Sequence, residues 1–578
     1  MESNIDKTVY AGILCINRTY GRTENGKRLL YKCIPDDRSL PAAILVPYQM
    51  TITFTKAHKN KYVLFRRVHV RGPDCGRTHA SASDSRRVHV REPDCGRTPL
   101  GGSDCHVKEP DLSIRSNDNP VNTTDSQVPC RGEIVETIGD VDSREAFNEY
   151  QVCRKRLNIS LTPFTNIVKD TLKSTDEWQF IEKIMTLNPG DKIADLRNYH
   201  VITIDPDSCT DFDDAFSAQL MGNVLIVNVY ISHVFFWMES FGLWDAISDR
   251  VSTIYLPDRK RPMLPSIMSE RLCSLQKGKP RVAFVMSTRY NLITGEQISE
   301  PTFMNALINV RKNYSYEDPL LEENKAYCYI SDIASRNAGY DMDSHEVVAW
   351  WMVKMNAECA QRLSTVNGGI FRVQSNTISV ADVPVIEGAP VASLSEGASV
   401  AQVAKSNDFV RRWLKLDGPA DPAQYSSVSS RHSGLGLDHY AHITSPIRRI
   451  ADIVNQAAFM KHVMGYDVSD ECSRFLDKWM GKIEYMNTAT RAIRRVQMDC
   501  ELLERCETDS ATLNTIHTGM AIANESPGEY TIYIDALKLI TYMKTTSALT
   551  LFEPTQFQIY VFNDESRLSR KIRIRHIA

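Results

Sequence analysis

The stretch TIDPDSCTDFDDAF, Thr203 to Phe216, places five aspartates in fourteen residues. An apolar run, HVITID, leads into it and AFSAQLMGNVLIVNVYIS follows, so Asp205, Asp207, Asp211, Asp213 and Asp214 fall at a turn between strands that can fold their carboxylates together. Like charges held close in a partly dry site repel strongly unless a cation offsets them. Hard oxygen donors select Mg²⁺, with Mn²⁺ as a substitute. Paired ions of that kind serve phosphodiester hydrolysis by generating hydroxide and bracketing the attacking and leaving oxygens. A calcium-binding EF-hand loop does not fit, because Cys209, Thr210 and Phe216 stand at its fifth, sixth and twelfth places. A solvated acidic turn that binds nothing stays open on this stretch alone.

Two further segments bear on the choice. STIYLPDRKRPMLPSIMSERLCSL sets Tyr255 among cations and prolines in a stiff loop, suited to holding a nucleic-acid strand by phosphate contact and base stacking, although a tyrosine beside prolines also packs in cores. HSGLGLDHYAHITSPIRRIAD offers glycine turns and then Thr444, Ser445 and Pro446 as the start of a helix with Arg448 and Arg449 in its first turn. That is a phosphate site if the arginines are not merely solvated.

The spacing Asp205, five residues, Asp211, one residue, Asp213-Asp214, followed in order by YLPDR, PMLP, LCSL and YAHITSPIRR between about Ile193 and Cys506, resembles the RNB family of RNase II, RNase R and the catalytic subunit of the eukaryotic exosome. The resemblance implies a hydrolytic, processive 3′ to 5′ exoribonuclease that releases 5′-nucleoside monophosphates from single-stranded RNA by a two-metal mechanism. Carried over by motif, Asp205, Asp211 and Asp214 would hold metal, and Asp213 would orient or activate the attacking water. Arg448 would contact the scissile phosphate, Tyr255 would stack on terminal bases, and Arg449 and Tyr316 of YSYED would line the RNA path. Two places depart from the family: Asn455 and Gln456 stand where it has a His-Arg pair, and Arg495-Val496-Gln497 where it has Ala-Glu-Arg. They put RNA grip and rate in question rather than the reaction class. The competing class is a catalytically silent RNA-binding relative, against which the four retained aspartates and Arg448 argue.

The elements that must position these residues suggest an α+β chain, a mixed α/β RNB catalytic domain flanked by OB-type barrels. Residues 1–150 read as a cold-shock-like barrel, with AAILVPYQ, KNKYVLF and RGEIVETIGDV as strands and an insertion at about 66–127. There RRVHVRGPDCGRT returns as RRVHVREPDCGRT and fades as HVKEPD, too poor in apolar residues to order itself. Its His and Cys residues match no zinc-finger spacing. Residues 151–192 read as a helical linker, 193–506 as the catalytic domain rich in long helices, and 507–578 as a C-terminal RNA-binding OB barrel. With 42% hydrophobic and 24% charged residues and a net charge of -3, the 578-residue chain is globular and exerts no global pull on nucleic acid, so any RNA site is a local basic channel. Its 14 cysteines lack a Cys-x-x-Cys pair, the usage of an intracellular and cytoplasmic protein. No membrane span is expected. The reading is of a monomer that binds single-stranded RNA, with a recruiting protein partner that the sequence does not identify.

Overall fold

The structure, a computed structural model, describes residues 4–23, 25–49, 59–69, 130–173, 177–188, 192–374, 423–509, 512–513, 515–537, 539–551, 553–564 and 569–577. The chain divides into two compact units, one of residues 1–58 with 63–137 and one of 59–62 with 138–578. The repeats lie outside the described residues apart from their first few positions.

In the first unit β1 (Asn4–Arg22), β2 (Leu29–Pro35), β3 (Ile44–Tyr48), β4 (Lys61–His69) and β5 (Arg131–Asp140) close a barrel in the order β1-β2-β3-β5-β4. That is the strand order of an OB fold. Alternation fills it: Leu14, Ile16, Tyr31, Cys33, Ile44, Val46, Val63 and Phe65 point inward. Strand β4 continues through Arg66 to His69, so the first residues of the repeat belong to the barrel rather than to an insertion beginning at Arg66. The two ends of the segment meet, since a Cβ on Gly132 would lie 2.9 Å from the Arg66 carbonyl oxygen.

In the second unit the helices α1 (Arg144–Arg154), α2 (Thr162–Thr171) and α3 (Glu177–Leu187) precede the central sheet. This sheet takes β6 (Ile193–Asp195), β7 (Val201–Asp205), β8 (Asp214–Met221), β9 (Val224–Ser232), β12 (Pro280–Asn291) and β13 (Thr302–Ser315) in the order β12-β9-β8-β7-β13-β6. Because β13 pairs antiparallel with β12 over its first half and parallel with β7 over its second, β12 to β13 also close a ring. Val201, Ala215, Tyr230, Ala283, Val285, Ala306, Ile308 and Val310 form its core. The expected hairpin turn falls at Gly222, whose φ of +61° favours glycine. A two-stranded ribbon, β10 (Ile254–Tyr255) with β11 (Lys260–Arg261), projects from the loop after α4 (Val234–Ser240).

Helix α5 (Lys325–Ala338) starts at Asn324, whose side chain caps Ala326 and Tyr327, and stops at Gly339. Helix α6 (Ser344–Thr365) opens on a reciprocal capping box between Asp343 and Glu346. Trp351 and Met355 are fully buried and belong to the core, while Trp350 and Met352 are partly buried. After β14 (Phe371–Val373) and β15 (Gln424–Ser426) come α7 (Ile450–Ala458), α8 (Asp470–Met480) and α9 (Ile483–Thr508). Helices α8 and α9 are parted at Gly481-Lys482.

The chain ends in β16 (His517–Ser526), β17 (Glu529–Ile534), β18 (Leu539–Lys544), β19 (Pro554–Asp564) and β20 (Ser569–Ile577), ordered β18-β17-β16-β19-β20. This is OB order with the β18/β20 seam left open by a cavity of about 600 Å³ lined by Lys544, Ile574, Arg575 and His576. Among the described residues no helix is long and apolar enough to cross a membrane.

Candidate active site

Strand β7 is buried along its whole length and delivers Asp205 at its last position. The turn that follows is shaped from a distance by the LCSL motif. Ser274 Oγ accepts from Phe212 N–H at 3.0 Å and donates to the Thr210 carbonyl at 2.8 Å, while Leu275 N–H donates to the Phe212 carbonyl at 3.0 Å. The motif is itself pinned by buried Arg281, which donates to the carbonyls of Ser274 and Arg271 at 2.9 and 2.7 Å. Asp213 and Asp214 are thereby set at the start of β8, and Asp214 pairs with Ile231 of β9.

Asp205, Asp213 and Asp214 are 9%, 3% and 6% exposed. Asp205 Oδ2 and Asp214 Oδ2 are buried with no hydrogen-bond partner. Burial, with Asp213 adding to it, pushes Asp205 up to about 7 although Thr203 and Arg448 oppose the shift. Burial and then Asp205 push Asp214 up to about 8. Asp213 also rises to about 8 through burial, against the pull of Arg448 and the Ile447 amide. Its two oxygens have partners: Ile447 N–H donates to Oδ1 at 2.9 Å, and Arg448 Nε lies 3.3 Å from Oδ2. Asp211 has a cation for a partner, Lys260 Nζ at 3.1 Å. Asp207 is exposed and sits outside the cluster.

The arginines do not ride on a helix as the sequence suggests. Helix α7 begins at Ile450, and Arg449 caps it in an extended conformation. The preceding turn gives its amides to carboxylates instead, Ile447 to Asp213 and Ser445 to Asp452 at 2.7 Å. Arg448 is 47% exposed and braced by Ser445 Oγ at 3.0 Å. Arg449 differs, since its Nε and Nη2 each bond Asp452 at 2.8 Å. The basic loop docks on this turn by main-chain bonds, Thr253 N–H to the Arg448 carbonyl and Ile450 N–H to the Val251 carbonyl, both at 2.9 Å. That brings half-exposed Tyr255 into electrostatic reach of Asp211, Arg448 and Asp213. Tyr316 follows β13, donates its N–H to the Asp205 carbonyl at 3.2 Å and stacks on His345 with ring centroids 3.8 Å apart. Burial, with Asp214 and Asp205, pushes its phenol up.

Asn455 and Gln456, the first departure from the family, are structural amides. Asn455 Nδ2 donates to the carbonyls of Ile370 and His442, both at 2.8 Å, and its Oδ1 accepts from Ile370 N–H at 2.7 Å. Gln456 bonds the Ser232 carbonyl at 2.8 Å and Phe235 N–H at 3.3 Å. Val496 is buried in α9.

Sequence reasoning missed Ser274, Lys260 and Arg372. Arg372, on β14, has its guanidinium 4.8 Å from the Tyr425 ring centre and makes no ion pair among the described residues. Burial, followed by its neighbours Arg449 and Arg491, holds its pKa down. A cation inside the RVQ strand is the one signal that marks it in the sequence.

An all-oxygen donor set with two orphaned, mutually repelling carboxylate oxygens fits a hard divalent cation at Asp205 and Asp214. Among the described residues no three His, Cys, Asp or Glu side chains converge as a metal-holding group, and Asp211 is engaged by Lys260.

In chain order an OB-type barrel, an α/β ring carrying buried aspartates beside Arg448, and a second OB-type sheet follow one another, and the comparisons point to a family with this make-up. The RNB domain matches residues 193–326 and 320–465, so this stretch of the chain is similar to the RNB family. The probable exosome complex exonuclease RRP44 of Caenorhabditis elegans is 27% identical over 393 residues, 57% of this chain and 40% of the relative. Ribonuclease R of Aquifex aeolicus is 25% identical over 409 residues, 59% of this chain and 55% of the relative. The chain thus matches less than two thirds of the length of these relatives. The apo form of Mycoplasma genitalium RNase R shares the fold, with a TM-score of 0.68 over 98% of this chain and 89% of that one at 14% identity. Yeast Ssd1, described as a pseudonuclease, shares it at a TM-score of 0.56 over 96% and 67% of the two chains, also at 14% identity.

Proposed function

We propose that the protein is a 3′ to 5′ exoribonuclease that hydrolyses single-stranded RNA processively to 5′-nucleoside monophosphates, using two Mg²⁺ ions for which Mn²⁺ substitutes. The observation that carries this reading is the pair of buried, unpartnered oxygens Asp205 Oδ2 and Asp214 Oδ2 beside Arg448. Asp205 and Asp214 would hold metal, with Asp211 joining them. When bound, such ions supply a water of lowered pKa and positive charge at the scissile phosphate. Asp213 fixes Arg448 through its Oδ2 and the 447 amide through its Oδ1, and orients the attacking water from the same position. The exposed side of Arg448 meets the phosphate. Tyr255 and Tyr316 offer rings for stacking, and Arg372, without an ion pair among the described residues, favours a polyanion. The described cysteines are unbridged, in keeping with an intracellular, cytoplasmic protein. Action as a monomer and recruitment by a further protein belong to the same reading.

The competing reading is a silent RNA-binding relative, favoured by the Lys260 contact with Asp211 and by a pseudonuclease of the same fold. A labelled single-stranded RNA incubated with Mg²⁺ separates the two. We expect mononucleotide release, lost by about a hundredfold or more in Asp213→Asn while RNA binding is kept. RNA bound by the wild-type protein without release of mononucleotides would establish the silent reading.

A further inference from the structure

Lys260 Nζ sits among three oxygens, 3.1 Å from Asp211 Oδ1, 3.0 Å from Glu270 Oε1 and 2.8 Å from Thr210 Oγ1. An ammonium has three donors, so this cradle satisfies it completely. Its backbone is pinned, because Lys260 stands directly across the β10/β11 ribbon from Tyr255. The side chain is a charge on a flexible four-carbon stem and can change partners without moving that ribbon. Asp211 is only 12% exposed at its side chain and faces the ammonium, so one of its oxygens is already engaged by a cation.

We propose that Lys260 is a built-in counter-ion of Asp211, which a divalent ion entering the acidic site displaces and which Glu270 then keeps. The inference rests on the metal-dependent reading above. An ammonium and a divalent cation cannot share one carboxylate without strong mutual repulsion, so the two compete for Asp211. Glu270, on the turn at Met268–Leu272, is the acceptor already in contact and makes the exchange a short swing rather than an expulsion into solvent. Lys260 is on this account a positioning residue that sets how readily the site loads.

The test is direct Mn²⁺ binding to the full chain without RNA, read from the electron paramagnetic resonance of free Mn²⁺. Lys260→Met is expected to tighten binding about ten- to a hundredfold, the worth of one charge-assisted contact. Lys260→Arg keeps the charge and is expected to stay near the wild-type value. Glu270→Gln weakens binding, because Lys260 loses its alternative partner, but changes it by less than about twofold in the Lys260→Met background, where only screened long-range charge remains. Equal affinity in Lys260→Met and wild type, or an equal Glu270→Gln effect with and without Lys260, overturns the exchange. Asp205→Asn tells the two readings apart: if it leaves Mn²⁺ binding intact, the metal reading of the acidic site is wrong and this inference falls with it. If it removes binding while Lys260→Met behaves as wild type, only the exchange is refuted.

Discussion

Asp214→Asn is expected to stabilise the protein when divalent metal is withheld, although it disables the site. Burial and Asp205 hold the Asp214 carboxyl at about 8, against an ordinary value of 3.8. The unfolded chain therefore ionises this group about four units earlier than the folded one. Folded stability contributed here falls as pH rises from about 4 towards 8, because the native state retains a proton that the unfolded state has released. At 1.36 kcal/mol per unit the carboxylate costs on the order of 5 kcal/mol at pH 8 and only a small part of that at pH 5. An amide of the same shape escapes that cost. Spread over a cooperative unit of a few hundred residues at about 2.1 cal/mol/K each, the gain at pH 8 is a rise of about 5 °C in the melting midpoint. The assay is thermal unfolding of wild type and variant in EDTA at pH 5 and pH 8, repeated with Mg²⁺. Mg²⁺ should raise the wild-type midpoint at pH 8 more than that of the variant. An unchanged or lowered midpoint for Asp214→Asn at pH 8 in EDTA would show that the carboxylate is not an uncompensated buried acid, and the metal argument built on it would go too.

Tyr255→Ala should weaken RNA binding by about 1 to 3 kcal/mol, one stacked base, and lengthen the oligonucleotide left at the end of digestion, which a sequencing gel resolves. Asn455→Leu removes three buried hydrogen bonds that tie Ile370 and His442 to α7, and should cost about 3 kcal/mol or more in a urea melt. Replacing 70–129 by a short Gly-Ser linker should leave the N-terminal barrel folded, since Arg66 and Gly132 already touch. Loss of its cooperative transition would place part of that segment in the barrel core.

What could be read from the sequence was what is local. The acids, YLPDR, LCSL and SPIRR each stand within a few residues, and the strand at 44–48 shows its alternation. Strands β12 and β13 escaped notice because ring closure buries them on both sides, which erases alternation over PRVAFVM. The helix expected at Thr444 fails for a tertiary reason: the amides that would have begun it bind Asp213 and Asp452. Lys260 looked like one more cation for RNA, and only the fold reveals its partner 49 residues upstream. Asn455 and Gln456, read as departures near the chemistry, turn out to be buried amides whose bonds are all to main chain.

The bond from Ile447 to Asp213 spans 234 residues. A chain emerging from the ribosome therefore presents its aspartates long before the turn that aligns them has been made. Contacts of such separation form late, after most of the intervening chain has collapsed. A copy of the chain that stops before Ile447 would carry the acids without the amide that aligns Asp213, so the candidate site is complete only once that late turn has been made.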